Sequence, residues 1–364
     1  MGYSEEAKPF FSIVMPAYNA QTYIKTAVES IQRQQFTDWE LIIIDDCSTD
    51  DTQKFIRNIM TADPRIRLFT HTQNFGVSEA RNRGICEAAG EYLWFVDADD
   101  RAEEDLLQKV YESLQHNRAQ FVLFGLVEEY YDGKDQFLYS HQISHKEGCF
   151  TDKESLRKEF IYLEQETLYG YPWNKIYDLS YLKGLRLKFQ DYKTAKFIED
   201  ITFNIRYCMD IESMNILSVC PYHYGKRVKE NLTNQFEPDY FKFHKKRIEI
   251  LLEQFQYWNM DTAEVREILG ALYGRYILSA LERNCDKRSK MNHSERYKWC
   301  RALFCQGLFN ELIPAAKASD SKALEILLFF LRWKRSIMCL AYGRAVHIVR
   351  NRLPMIYSKI KSER

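Results

Sequence analysis

A chain of 364 residues with 51 Lys and Arg against 51 Asp and Glu is long enough for two or three domains, and it has no net field to attract nucleic acid. Its nine cysteines contain no Cys-X-X-Cys pair, which argues against zinc and for reduced thiols in the cytoplasm. The opening Met1-Gly2-Tyr3-Ser4-Glu5-Glu6 lacks the basic and apolar regions of a signal peptide, and Glu6 breaks a myristoylation pattern.

Phe11 to Met15, a β-branched and aromatic run broken by Pro16, predicts a first strand. The loop Ala17-Tyr18-Asn19-Ala20 then leads into Tyr23, Ile24, Ala27, Val28 and Ile31 at helical spacing. Leu41-Ile42-Ile43-Ile44 is the continuous apolar run of a strand covered on both faces, and it ends in Asp45-Asp46-Cys47-Ser48-Thr49-Asp50. Ile66 to Phe69 predicts a third strand, and Gly76 to Gly84 begins a helix that returns the chain to Leu93-Trp94-Phe95-Val96. That fourth strand stops on Asp97-Ala98-Asp99-Asp100. Loops at the carboxyl ends of parallel strands share one edge of a sheet, so these acidic loops can meet there. Hard carboxylate oxygens at such an edge suit Mg²⁺ or Mn²⁺ bridging the phosphates of a nucleotide diphosphate. A solvated turn or a helix cap is the competing reading of one Asp-X-Asp, and the adjacent Asp99 and Asp100 cannot be ranked as ligands.

Taken in order, Pro16-Ala17-Tyr18-Asn19, Asp45 to Asp50, Gly76 with Ala80-Arg81-Asn82-Arg83-Gly84, and Asp97 to Asp100 resemble the family 2 glycosyltransferases of GT-A fold. The resemblance covers residues 9 to 110 closely and continues more loosely to about 235. It implies an α/β fold with a Rossmann-like, mostly parallel sheet flanked by helices, and metal-dependent transfer from a nucleotide-diphosphate sugar. On this reading Pro16, Ala17, Tyr18 and Asn19 border the nucleotide, with Tyr18 lying on the base. Asp46 accepts from a base N–H, Asp97 holds the ribose and Asp99 ligates the metal. Arg81 orients a carboxylate of the site or touches the donor, unless it pairs structurally with Glu79 or Asp97.

The resemblance also implies a catalytic base on an acidic pair that opens a helix. Phe197-Ile198-Glu199-Asp200-Ile201 offers Asp200, with Glu199 supporting the site or capping the helix. Trp173 and Asn174 match the acceptor side of the cleft, although Trp173 reads equally as core. Pro221 to Arg227 resembles the strand and loop that close over the donor. There His223 is a candidate metal ligand or a packed side chain, and Gly225 stands where the family often has Arg. The phosphate role therefore passes to Lys226 and Arg227. A nucleotidyltransferase, the nearest different reaction, would need a Gly-rich, Lys- or Arg-bearing first loop, and Ala17 to Ala20 has neither feature. A non-catalytic nucleotide-sugar-binding subunit is the other alternative.

Three regions follow from these readings: a catalytic domain over 1–235 in halves of about 9–110 and 111–235, a helical domain over 236–318, and a basic tail over 319–364. Within 238–316, Tyr240, Phe243, Ile248, Leu251, Leu252 and Phe255, then Val265, Ile268, Leu269, Leu272 and Ile277, recur at helical spacing. Breaks fall at Asn259-Met260-Asp261 and Asn284-Cys285-Asp286. From Ser321 onward ten Lys and Arg stand against Glu325 and Glu363, a net of +8, interleaved with Phe329, Phe330, Trp333 and Tyr342. No apolar run approaches the roughly 20 residues of a membrane span. The pattern predicts an interfacial anchor on the inner face of the cell membrane, or a helix packed on the catalytic domain or on a homodimer partner. The anchor favours a lipid-linked glycan acceptor of a surface-polysaccharide pathway.

Overall fold

The computed structural model describes residues 8–227, 236–318 and 321–352. The expectations for Met1 to Glu6, and for Lys359, Lys361, Glu363 and Arg364, lie outside the described residues. The chain forms two compact units, Met1–Asn231 and Leu232–Arg364.

The first unit begins with β1 (Phe11–Ala17), α1 (Ile24–Gln32), β2 (Trp39–Asp45), α2 (Thr52–Met60), β3 (Ile66–Thr70), α3 (Val77–Glu87) and β4 (Tyr92–Phe95). The four strands are parallel in the order β3-β2-β1-β4. The sequence broke the first strand at Pro16, yet β1 continues through Ala17. Ala17 O accepts from Asp46 N on the β2 side, so the missing N–H of Pro16 faces the β4 side, where β4 has already ended at Phe95. The proline costs no ladder bond there. α3 lies close on β1 because Gly84 has no Cβ to meet Val14.

The rest of this unit is β5 (Arg101–Ala102), α4 (Leu106–His116), β6 (Phe121–Tyr131), β7 (Phe137–Ile143), β8 (Gly148–Phe150), α5 (Lys153–Gln165), β9 (Lys175–Asp178), α6 (Leu179–Gly184), α7 (Tyr192–Ala195), α8 (Glu199–Cys208) and β10 (Met214–Lys226). These strands extend the sheet as β4-β9-β6-β10-β5, with β7 on β6 and β8 on β10. β9 is antiparallel to both neighbours and β6 is parallel to β10. The sheet is thus parallel in its first half and mixed in its second. The pairing of β10 with β6 shifts between Leu217 and Tyr222, an irregularity that accommodates Pro221.

The second unit is helical: α9 (Tyr240–Tyr257), α10 (Ala263–Arg283), a 3₁₀ turn (Lys287–Ser289), α11 (His293–Leu303), α12 (Gly307–Leu312), α13 (Lys322–Arg332) and α14 (Ser336–Arg352). Its helices break at Asn259 to Asp261 and at Asn284 to Asp286, where the periodicity ends. α10 is the centre, packed by α9, α12, α13 and α14. Described residues of the basic tail thus belong to this bundle: Leu324, Leu327, Leu328 and Leu331 bury one face of α13 in it.

Candidate active site

The loops after β1 and β2 are stitched together. Asn19, in the left-handed region at φ 48°, donates its N–H to Ser48 Oγ at 2.9 Å and accepts Thr49 N–H at Oδ1 at 2.8 Å. This holds Tyr18 half-exposed at the strand edge. Asp46, expected to accept from a base, is buried. Its Oδ1 accepts from Phe75 N at 2.9 Å and lies 2.7 Å from His71 Nδ1, and Oδ2 accepts from Gly76 N at 2.7 Å. Gly76, at φ +94°, is the residue before α3, so Asp46 first of all fixes where that helix starts.

One turn into α3, Arg81 is almost fully buried beneath the Phe189 ring. Its Nη2 donates to Asp97 Oδ1 at 3.0 Å and its Nη1 to Asp200 Oδ1 at 2.6 Å. The guanidinium fork, a rigid planar donor, thereby joins the loop after β4 to the first turn of α8. Burial works against its charge, but Asp200, Asp97 and Glu199 outweigh burial and hold its pKa above the usual value. Asp200 is displaced upward by burial, with Arg81 pulling against it and Asp97 adding to it. Burial, then the Asp200 carboxylate, push Glu199 up to about 8, and Glu199 Oε2 has no hydrogen-bond partner. Burial and the neighbouring Asp200 thus favour the protonated form of Glu199 beside the Arg81 fork.

Asp99 and Asp100, inseparable in sequence, do different things. Asp100 is buried: Oδ2 accepts the Tyr222 hydroxyl at 2.8 Å and Oδ1 the Gly225 N–H at 3.0 Å. It anchors β10. Asp99 keeps 51% of its side-chain surface accessible, with Arg227 Nη1 3.6 Å from its Oδ2. Burial of the loop, then Asp97, raise its carboxyl to about 6, while Arg227 opposes them. The guanidinium of Arg227 also lies over the rings of Tyr23 and Tyr131.

Several expected residues face elsewhere. Tyr222 points to Asp97 and Asp100, so strand alternation sends His223 to the opposite face. There His223 Nδ1 lies 2.9 Å from Glu129 and Nε2 lies 2.6 Å from Glu103, and the structure does not bring it to Asp99. Lys226 Nζ is 2.5 Å from Glu128 Oε1, leaving Arg227 as the cation beside Asp99. Trp173 is only 2% exposed, pressed between Tyr171 and Tyr222 at centroid distances of 4.5 and 4.6 Å. Asn174 is fully buried and donates to Phe124 O and Leu168 O. Neither presents a free face, which for Trp173 is the packing that the core reading expects.

Two residues that sequence reasoning missed shape this wall. Buried Lys175 donates Nζ to Leu168 O, Tyr171 O and Asn174 Oδ1. Asn204 donates Nδ2 to Tyr169 O, Gly170 O and Tyr171 O. Asn204 lies four residues after Asp200 and so on the same face of α8, a spacing visible in the sequence. Among the described residues no group of three or more His, Cys, Asp or Glu is gathered to enclose a metal ion.

Residues 12–185 match the model of glycosyl transferase family 2. The chain is 36% identical over 135 residues to the putative teichuronic acid biosynthesis glycosyltransferase TuaG of Bacillus subtilis, covering 36% of this chain and 54% of that protein. It is 38% identical over 161 residues to the GalNAc(5)-diNAcBac-PP-undecaprenol beta-1,3-glucosyltransferase of Campylobacter jejuni, covering 42% of this chain and 48% of the relative. The chain thus spans about half the length of these two relatives. The crystal structure of S. aureus TarS 1–349 in complex with UDP-GlcNAc matches its fold with a TM-score of 0.62 at 21% identity, covering 92% of this chain and 90% of that one.

Proposed function

We propose, from the premise that residues 12–185 form a glycosyl transferase family 2 domain, that this protein transfers a sugar from a nucleotide-diphosphate donor to a glycan hydroxyl. The observation that carries this reading is Arg81, which ties Asp97 of the strand-edge acidic loop to Asp200 at the head of α8. A UDP-linked donor lies along the edge, with its base on Tyr18, its ribose at Asp97 and its diphosphate near Arg227. Asp46 supports the base from behind. Asp200 is the general base that takes the proton of the attacking hydroxyl, and a single in-line attack inverts the anomeric centre. Arg81 keeps Asp200 ionised enough for that task and fixes its direction. Glu199, neutral and buried, holds an O–H available to the acceptor or its water.

The donor set fits a divalent cation shared with the diphosphate. Asp99 offers a half-accessible hard oxygen, while the oxygens of Asp100 are already taken by Tyr222 and Gly225. Mg²⁺ or Mn²⁺ is commonly held by one or two carboxylates plus substrate phosphates, without a full protein cage. When bound, the cation offsets negative charge on the departing nucleoside diphosphate. The Campylobacter relative is named for a PP-undecaprenol-linked acceptor, which supports a lipid-linked glycan of a surface-polysaccharide pathway as the acceptor here.

Slow release of UDP from a panel of UDP-sugars, measured with metal and with chelator, tests this reading. Metal-dependent release that Asp99→Asn abolishes is the expected result. Absence of release with every donor, or an equal loss of UDP affinity in Asp99→Asn with and without metal, would sink the donor or the metal assignment respectively.

A further inference from the structure

Within the helical unit, α13 carries two apolar faces although only one is covered. Leu324, Leu327, Leu328 and Leu331 are buried, while Ile326, Phe329 and Trp333, one helical turn apart along the other side, are exposed. Trp333 is 63% exposed and Ile337, in the first turn of α14, 72%. Lys334, at φ 51°, turns the chain between the two helices, so Ile337 and Met338 continue the exposed apolar surface onto α14. Ring contacts knit this corner together: Phe329 meets Trp333 at 6.4 Å and Phe330 at 5.9 Å, and Phe330 meets Tyr342 at 6.3 Å. The charge around it is mostly positive, although Arg332 lies 3.9 Å from Glu325 and Arg350 2.7 Å from Glu282 of α10. Residues 321–352 contain seven Lys and Arg and a single acid, Glu325. Arg335 and Arg344 are exposed, and among the described residues Lys334 donates to the neutral Asn310 amide oxygen at 2.9 Å.

We infer that the α13–α14 corner is a docking surface for an anionic lipid bilayer. Aromatic and aliphatic side chains enter the interface, and the surrounding cations meet lipid phosphates. A second copy of the chain suits this face poorly, because a two-fold contact would set the exposed Lys334, Arg335 and Arg344 against the same cations. No helix among the described residues is long and apolar enough to span a membrane, so attachment is to the surface. The inference is independent of the sugar-transfer reading, since it uses no residue of the candidate active site.

The full-length protein is sedimented with vesicles of phosphatidylcholine alone and of phosphatidylcholine mixed with phosphatidylglycerol, across a salt series. Binding to the mixed vesicles, weakening as salt rises, is expected. Phe329→Ser/Trp333→Ser/Ile337→Ser should lower the bound fraction by roughly 10-fold or more while keeping the wild-type melting transition, because the three side chains are exposed. Arg335→Glu/Arg344→Glu, which leaves the apolar surface intact, should lower it as well and serves if the triple variant fails to fold. Sedimentation velocity without lipid reads the competing occupant. The inference is overturned if the full-length chain ignores anionic vesicles at low salt, if both variants bind like wild type, or if the protein forms a dimer that the triple variant dissociates. UDP release from a soluble UDP-sugar, unchanged in both variants, keeps failure here distinct from failure of the sugar-transfer reading.

Discussion

The loops after β2 and β4 and the strand β10 both bring acidic or basic motif residues toward one sheet edge, but they spend their side chains differently. In the loops, Asp97 and Asp99 lie beyond the strand ends, where the backbone no longer dictates alternate faces, and both remain at the site. Within β10, neighbours part: Tyr222 turns to Asp97 and Asp100 while His223 turns to Glu103 and Glu129. Inside a strand a one-residue change reverses the face. In the loops each carboxylate is instead placed by its own partners, which bury Asp46 and Asp100 and leave Asp97 and Asp99 accessible.

The sharpest test of the loop and helix side is Asp200→Asn. With acceptor saturating, turnover should fall by roughly 100-fold to 10,000-fold while donor affinity is kept, the usual cost of losing a general base. Next comes Arg81→Met, which strands two carboxylates. Chemical denaturation should report a loss of about 3 kcal/mol, toward the low end for a broken buried pair because Asp97 and Asp200 each keep about a quarter of their surface in water.

Glu199→Gln probes the neutral acid through pH. Glu199 is protonated in the fold up to about 8, whereas an unfolded Glu ionises near 4.5. The folded state therefore holds the extra proton between those values, and wild-type stability falls as pH rises through that window. The variant should lose this part of the slope, gaining on wild type from pH 4.5 to 8 and keeping a constant lead above. Stabilities that stay parallel from pH 4.5 to 8 would show that Glu199 ionises in the fold as it does in the unfolded chain. The smallest effect is expected on the strand side: His223→Gln should leave the metal dependence of UDP binding unchanged in calorimetric titration. A selective loss of metal-dependent binding would break the comparison by returning His223 to the metal.

The four parallel strands, the start of α3 and the acidic head of α8 were legible in the sequence because apolar runs and glycine or carboxylate punctuation coincide there. Pro16 misled at the strand boundary, since whether a proline breaks a strand depends on which neighbour its missing N–H would have faced. Trp173, open in the sequence between core and acceptor wall, and Asn174 were not legible in the same way. Trp173 is covered by Tyr222, and Asn174 donates to Phe124 O, partners about fifty residues away that meet them only after folding. The separation of Asp99 from Asp100 rests likewise on Tyr222 and Gly225 of β10, more than a hundred residues away.

Arg81 touches both Asp97 and Asp200, so on the proposed reading the donor and acceptor sides share one ion. On that reading, a nucleotide engaging Asp97 would alter the partition of that guanidinium between its carboxylates, and with it the basicity of Asp200. Thermodynamic reciprocity then requires the acceptor to act back on the nucleotide by the same factor. Donor and acceptor affinities are thus expected to be cooperative in wild type and independent once Arg81 is removed.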